Sequence, residues 1–345
     1  MSQRGADRRL LVKSSLVLLA AMLSAQVGIA QSSGSNLKNA PPEVKEVQVP
    51  FASLRPEAVF KVGKDADWVQ ITDDAVWVAS SKPASLHRID PDTDREVAVI
   101  PLPGVPCAGL AFGFESLWVP LCGQPNSIAR IDASANRISA ILPIGPAGEE
   151  GGIATSYDSV WIVSDDAGTL IRIDPATNEV RKKISIAPGS YNPRFSDGAV
   201  WITSGTGNLL TAVDASTGEV IATIPVGPKP RFLTAGKGSI WTLNQGDGTV
   251  TRIDAQSKRV TATIAAGTPG HGGDIAWGAG FIWASVFDIP LTAIDATTNR
   301  VVRQWIGPGG DSLRFGHDSI WLTDYKQGTL SRIPLRQLLK PKETQ

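Results

Sequence analysis

Apolar residues in this chain come in short runs that alternate with polar ones or extend over a few β-branched positions, and Gly, Pro, Asn or Asp bounds nearly every run. Such runs predict short strands, and the 3.6-residue spacing of amphipathic helices does not organise them. Within this pattern Trp77, Trp118, Trp161, Trp201, Trp241, Trp283 and Trp321 each follow an apolar residue, at separations of 41, 43, 40, 40, 42 and 38 residues. About ten residues after each comes a second signature, as in Leu86-His87-Arg88-Ile89-Asp90, and then a short turn and another β-branched run. Four strands (A to D) per unit of about 40 residues are the mark of a propeller blade. The periodic Trp falls on strand B and the Ile-Asp signature ends strand C.

The seventh unit stops after Ile333, with no strand D. Ala58 to Gly63 resembles the strand D ending Ala222 to Gly227 but has no A, B or C of its own. The expected fold is therefore all-β: a seven-bladed β-propeller with four-stranded blades, closed by an N-terminal strand that completes the last blade and removes two sheet edges. The propeller should span residues 57–334, with 31–56 as an N-terminal tether and 335–345 as a C-terminal tail. The periodic Trp should pack between blades. Asp174, Asp214 and Asp295 should open turns, and the recurring Arg88, Arg130, Arg172, Arg252 and Arg332 should form a solvated face.

Composition adds an export reading. Arg4, Arg8, Arg9 and Lys13 precede the apolar run Leu16 to Leu23, and Gly28-Ile29-Ala30 offers a cleavage site, so residues 1–30 read as a signal peptide and the protein as periplasmic or secreted. Arg8-Arg9-Leu10-Leu11-Val12-Lys13 resembles a twin-arginine signal. No run elsewhere is long enough to span a membrane. The 345 residues hold 33 Lys and Arg against 33 Asp and Glu; removal of residues 1–30 leaves 29 against 32, a formal charge of −3. That balance excludes an electrostatic nucleic-acid binder, and a monomer is expected. Cys107 and Cys122 flank the A–B hairpin of blade two symmetrically and should face each other in a cross-strand disulfide.

Loops D–A and B–C converge at one mouth of the central channel. Ten residues before the periodic Trp stand Asp67, Ala108, Gly151, Tyr191, Arg231, Gly273 and Asp311. Three residues after stand Ser80, Leu121, Ser164, Ser204, Asn244, Val286 and Asp324. Variation at such repeated positions suits recognition. The expected role is binding of a small molecule or protein partner at this face, with Asp67, Trp68, Tyr191, Arg231 and Asp274 as contacts. The alternative is a lyase or hydrolase with His271 as base and Asp311 and Asp324 beside it, where carboxylates would hold a divalent cation, Mg or Ca, and Arg231 a substrate anion. Metal ligands are not fixed by spacing. A non-catalytic structural surface protein is a third reading. Glu149 and Glu150 are expected to be solvated loop charges. His317 should fall on the opposite face and His87 within strand C. Walker-type, HExxH and Gly-x-Ser-x-Gly motifs do not occur.

Phe315-Gly316-His317-Asp318-Ser319-Ile320-Trp321, followed by Gly328-Thr329-Leu330-Ser331-Arg332-Ile333, resembles the repeats of streptogramin lyases and YVTN-type surface and periplasmic proteins. The resemblance covers roughly residues 57–334 and implies a seven-bladed propeller. In the lyases it also implies a bound magnesium ion, a base His about ten residues before a late Trp and a Glu three after the strand B aromatic. Here Gly273 and Asp311 stand at the His position, and Val286 and Asp324 at the Glu position, so Asp324 alone keeps a carboxylate.

Overall fold

The structure, a computed structural model, describes residues 40–339. The expected signal peptide therefore lies outside the described residues. Seven antiparallel sheets follow one another along the chain. Blade one runs Asp67–Ile71, Val76–Ser81, Ala84–Asp90 and Arg95–Pro101. The innermost strands of successive blades touch in sequence order, and blade seven returns to blade one, so the ring is closed. In blade seven Leu313–Gly316, Ser319–Asp324 and Thr329–Pro334 are completed by Ala58–Lys61 from the N-terminus, which pairs antiparallel with strand C.

The region expected to be a tether is docked over its described part. Gln48–Pro50 adds a fifth strand, parallel to Arg300–Ile306, on the outer edge of blade six. Gln48 Nε2 donates to Gln304 Oε1 (2.7 Å), and Gln304 Nε2 donates to Ala266 O and Thr292 Oγ1 (3.0 Å each), so this fully buried amide is satisfied. Trp305 is buried beneath this cover, and the edge of blade six is capped where a bare strand would invite pairing with another chain. The start of the expected tail also folds back, as a helical turn Leu335–Leu338 with Leu338 buried.

All seven periodic Trp are fully buried. Directly opposite five of them on strand C stands an Arg, whose guanidinium lies over the indole at 4.7–5.3 Å from the ring centroid. These arginines are not the solvated face expected of them. Each crosses to the C–D turn of the following blade: Arg130 Nη1 donates to Pro175 O (2.5 Å) and Asn178 Oδ1 (3.0 Å). Arg88 does the same to Ala133 O and Asn136 Oδ1, and Arg252 to Ala296 O and Asn299 Oδ1. Arg332 closes the ring onto Pro91 O and Asp94 Oδ1 of blade one. The receiving turns are held by the Asp of the Ile-Asp signature, as expected: Asp214 Oδ1 accepts the backbone N–H of Ser216 and Thr217. Four residues after that Asp the backbone turns left-handed, at Asp94, Asn136, Asn178, Gly218, Lys258 and Asn299, which suits Asn and Gly and aims the Asn amides at the incoming arginines.

Cys107 and Cys122 form the expected disulfide, with Cα atoms 5.7 Å apart. They are not directly opposite, however. Val105 pairs with Cys122 and Pro106 with Leu121, whereas beyond the interruption Ala111 pairs with Trp118, so the first strand of blade two slips register between Pro106 and Ala111. The bridge therefore joins residues diagonally across the pair.

Four of the arginines also donate Nε to a Ser two residues before the Trp: Ser116, Ser159, Ser239 and Ser319. In blade one that position is Ala75, and Arg88 Nε is buried without an acceptor. Ala75→Ser is expected to supply it and stabilise the protein by about 1 kcal/mol. Arg130→Met, which keeps the apolar stem and removes the clasp, should cost about 2 kcal/mol. Urea denaturation of both variants measures this, and a change under about 0.5 kcal/mol in Arg130→Met would show that the clasp contributes little.

Candidate functional site

Strand A of each blade runs from the mouth face toward the A–B turns, so equal offsets before the periodic Trp mark layers along the channel. The ten-before positions do border the mouth. Tyr191, Arg231 and Asp311 line one cavity of about 550 Å³, and Asp67 lines an adjoining one with Asp65, Glu149 and Tyr325. The three-after positions mostly do not. Ser80, Leu121, Ser204, Asn244 and Val286 are buried, with Ser204 Oγ donating to Pro188 O and Asn244 Nδ2 to Thr249 and Thr251 Oγ1. That position ends strand B and still packs between blades. The next residue opens the B–C connection and reaches the mouth, as Ser81, Gly205, Gln245, Phe287 and Tyr325 do. Asp324 is half-buried, and its Oδ1 accepts the Gln327 N–H (2.9 Å).

The cavity wall is built from several blades. Arg231 lies over the Tyr191 ring at 4.2 Å and donates to Glu149 O (3.3 Å). Asn192 Nδ2 bridges Glu150 O (3.1 Å) and Arg231 O (2.9 Å), tying three neighbouring loops together. Opposite, Phe287 and Tyr325 stand with ring centroids 6.3 Å apart. His271 is exposed on this wall, and its ring makes no hydrogen bond or ion pair among the described residues. The glycines after it are required by geometry: Gly273 has φ +87°, and a Cβ there would collide with the Ser285 carbonyl. Its N–H donates to Asp311 Oδ1 (2.5 Å). Glu150 is half-buried against the cavity and is not the solvated loop charge expected. His317 Nε2 bonds Thr72 O on the opposite face, and His87 Nδ1 bonds Glu96 within blade one, so neither joins His271.

Below the mouth the channel is plugged. Asp67 Oδ1 accepts the Trp68 N–H (2.7 Å), and Trp68 holds a left-handed φ of +57°. Its ring meets Phe232 at 6.2 Å. These residues belong to blades one and five, which are not neighbours, so the pair crosses the channel, and Gly109 at the same level on blade two lies against the Trp68 ring. Trp68 is only 4% exposed, which corrects its expected place on the rim. Asp274 is likewise inside: it is ion-paired with Arg314, accepts Ser312 Oγ (3.0 Å) and accepts the Ile275 N–H (2.7 Å). Among the described residues no three His, Cys, Asp or Glu side chains are grouped as a metal ion would need.

No protein-family model and no curated protein matches the chain. Among solved structures, one described as a streptogramin B lyase structure matches over 80% of this chain and 96% of that one, with a TM-score of 0.67 and 15% identity. The fold is that of a streptogramin lyase-like propeller. At this identity the likeness concerns architecture.

In this lyase-like propeller the acids at the channel neck are crowded and out of water. Burial, and then the charges of Glu150, Asp274 and Asp324, push the Asp311 carboxyl up to about 8, against the opposing Gly273 hydrogen bond. Asp67 is raised well above the ordinary carboxylate range by burial and by Asp311 and Glu150. Glu150 is raised by burial, with Arg231 opposing. Burial and crowding therefore favour the protonated form in the neck, while Asp311 Oδ1 accepts the Gly273 N–H.

A carboxyl raised on folding binds its proton more tightly in the folded state. Its stabilising contribution is full below about pH 4 and is lost as pH rises toward about 8. Asp311→Asn retains an oxygen for the Gly273 N–H and has no proton to lose. Between pH 5 and 9 the melting temperature of the wild type should fall more steeply than that of Asp311→Asn. Parallel curves would show that Asp311 is ionised throughout.

Proposed function

We propose that this is an exported binding protein whose mouth cavity takes a small organic molecule bearing one carboxylate and an aromatic or aliphatic body. The observation that carries the reading is the composition of the cavity of about 550 Å³: Arg231 and Lys229 on one side, Phe287 and Tyr325 on the other, and Asp311, its carboxyl pushed up to about 8 chiefly by burial, at the floor. A volume of this size fits a ligand of drug-like dimensions. A ligand carboxylate would meet the guanidinium of Arg231, held flat by Tyr191. Export is supported by the disulfide, a bond that persists in oxidising compartments.

A lyase or hydrolase is the second reading, favoured by the placement of His271 and Asp311 in one cavity wall. It ranks below binding because no described residue hydrogen-bonds the His271 ring to orient it. The solved protein named above acts, by its title, on streptogramin B, and turnover of such a compound by this protein would reverse the ranking.

A panel of N-acyl amino acids and short aromatic peptides should contain members that raise the melting temperature. Calorimetry should then show about tenfold or greater weakening in Arg231→Ala. Equal affinity in that variant would remove the carboxylate anchor from the reading.

A further inference from the structure

Seven residues before the periodic Trp, deeper than the plug, stand Gln70, Ala111, Ala154, Arg194, Thr234, Ala276 and Arg314. Two guanidinium groups thus enter one narrow layer of the channel. They line a chamber of about 240 Å³ beneath Trp68 and Phe232 and a second of about 140 Å³, floored by Trp277 and Phe315, that shares Gln70, Arg194 and Arg314 with the first. Among the described residues one carboxylate, Asp274, lines the chamber, and it is committed to Arg314 and Ser312. Arg314 Nη1 also donates to its own residue's preceding carbonyl at Leu313, while Arg314 Nε is buried with no acceptor. Among the described residues the Arg194 side chain has no hydrogen-bond acceptor and no ion-pair partner.

Arg194 is half-buried, and a guanidinium with no protein counter-charge in a confined, polar space is open to an anion entering from solvent. Here three small alanines keep the layer open around it, and the chamber of about 240 Å³ has room for a small oxyanion together with water. We propose that the lower channel is a binding site for a small oxyanion, a carboxylate, sulfate or phosphate, received by the planar fork of Arg194 with the positive charge of Arg314 in the same wall. Burial and the like charge of Arg314 bring the Arg194 side chain down to about 10, so it remains a cation at neutral pH. The site is separate from the mouth cavity, from which the Trp68–Phe232 pair divides it.

The test uses the purified protein in a low-ionic-strength buffer whose anion is chloride alone, with acetate, succinate, sulfate and phosphate added separately. At least one of these should raise the melting temperature with a saturating dependence on concentration. That dependence should weaken at least about tenfold in Arg194→Gln and survive in Arg231→Gln, which alters only the mouth. Arg194→Lys, which keeps charge but loses the fork, should bind with intermediate affinity. Without added anion, Arg194→Gln should melt no lower than the wild type, because it removes an unpaired charge. A rise that is linear in salt and equal in all variants, no rise with any anion, or a lower melting temperature of anion-free Arg194→Gln would each overturn the proposal.

Discussion

A ring of seven sheets holds only if each blade is fastened to the next, and in this protein one polar contact recurs at five of the seven junctions. An arginine on strand C lies on its own blade's tryptophan and donates to the C–D turn of the following blade. The indole buries the guanidinium's flat face, and the turn satisfies its edge. Apolar packing and charge-assisted hydrogen bonding thus act through the same side chain. The two blades that lack the arginine are instructive. Blade six has Ala293, and the blade it would reach has no continuous C–D turn, since its outer strand arrives from the N-terminus. Blade four has Ala212, and the turn it would reach carries Lys258 at the left-handed position where four other turns carry Asn or Asp to accept. Gly218, at the same position of blade four, leaves Arg172 the Ser216 carbonyl as its acceptor in that turn.

This fastening fixes the innermost strands, and so lets loops from different blades build one rigid mouth. The Asn192 side chain shows how closely the loops are joined, since its two amide bonds hold the carbonyls of Glu150 and Arg231, from the blades on either side. The side chains that differ from blade to blade are therefore presented on a frame that does not need to reorganise. Rigid placement of varied groups favours recognition.

The repeat made the architecture readable. The tryptophan spacing marks the blades, and the unpartnered Ala58 to Gly63 strand marks the closure, because both reflect burial that repeats in every unit. The site was less legible for a reason of register. Positions three after the tryptophan still lie in strand B and are consumed by packing, whereas one residue further the side chains Gln245, Phe287 and Tyr325 face the mouth. The docking of Gln48–Pro50 was hidden because a parallel edge strand needs only three residues and leaves no periodic signal. Trp305 hinted at it, as a large aromatic on an outer strand must be covered by something. Trp68 misled in the other direction: its neighbour Asp67 points to the rim, but Trp68 is an unpaired, bulged residue with a left-handed φ, and its indole turns into the channel.

Charge along the channel follows from the same layering. Acids gather at the neck, with Asp67, Glu150 and Asp311 raised in pKa by burial and by neighbouring acids, and arginines gather three residues deeper along strand A. Asp274 lies between and pairs downward with Arg314, not upward with a cation at the mouth. Ionising the neck fully would place several negative charges in a space already poor in water, so protonation there is the less costly state near neutrality. The deeper layer has no such escape, because a guanidinium keeps its proton at any physiological pH. The neck can neutralise itself, whereas the lower channel needs an anion from outside, and this asymmetry makes the two ends of the pore chemically different sites.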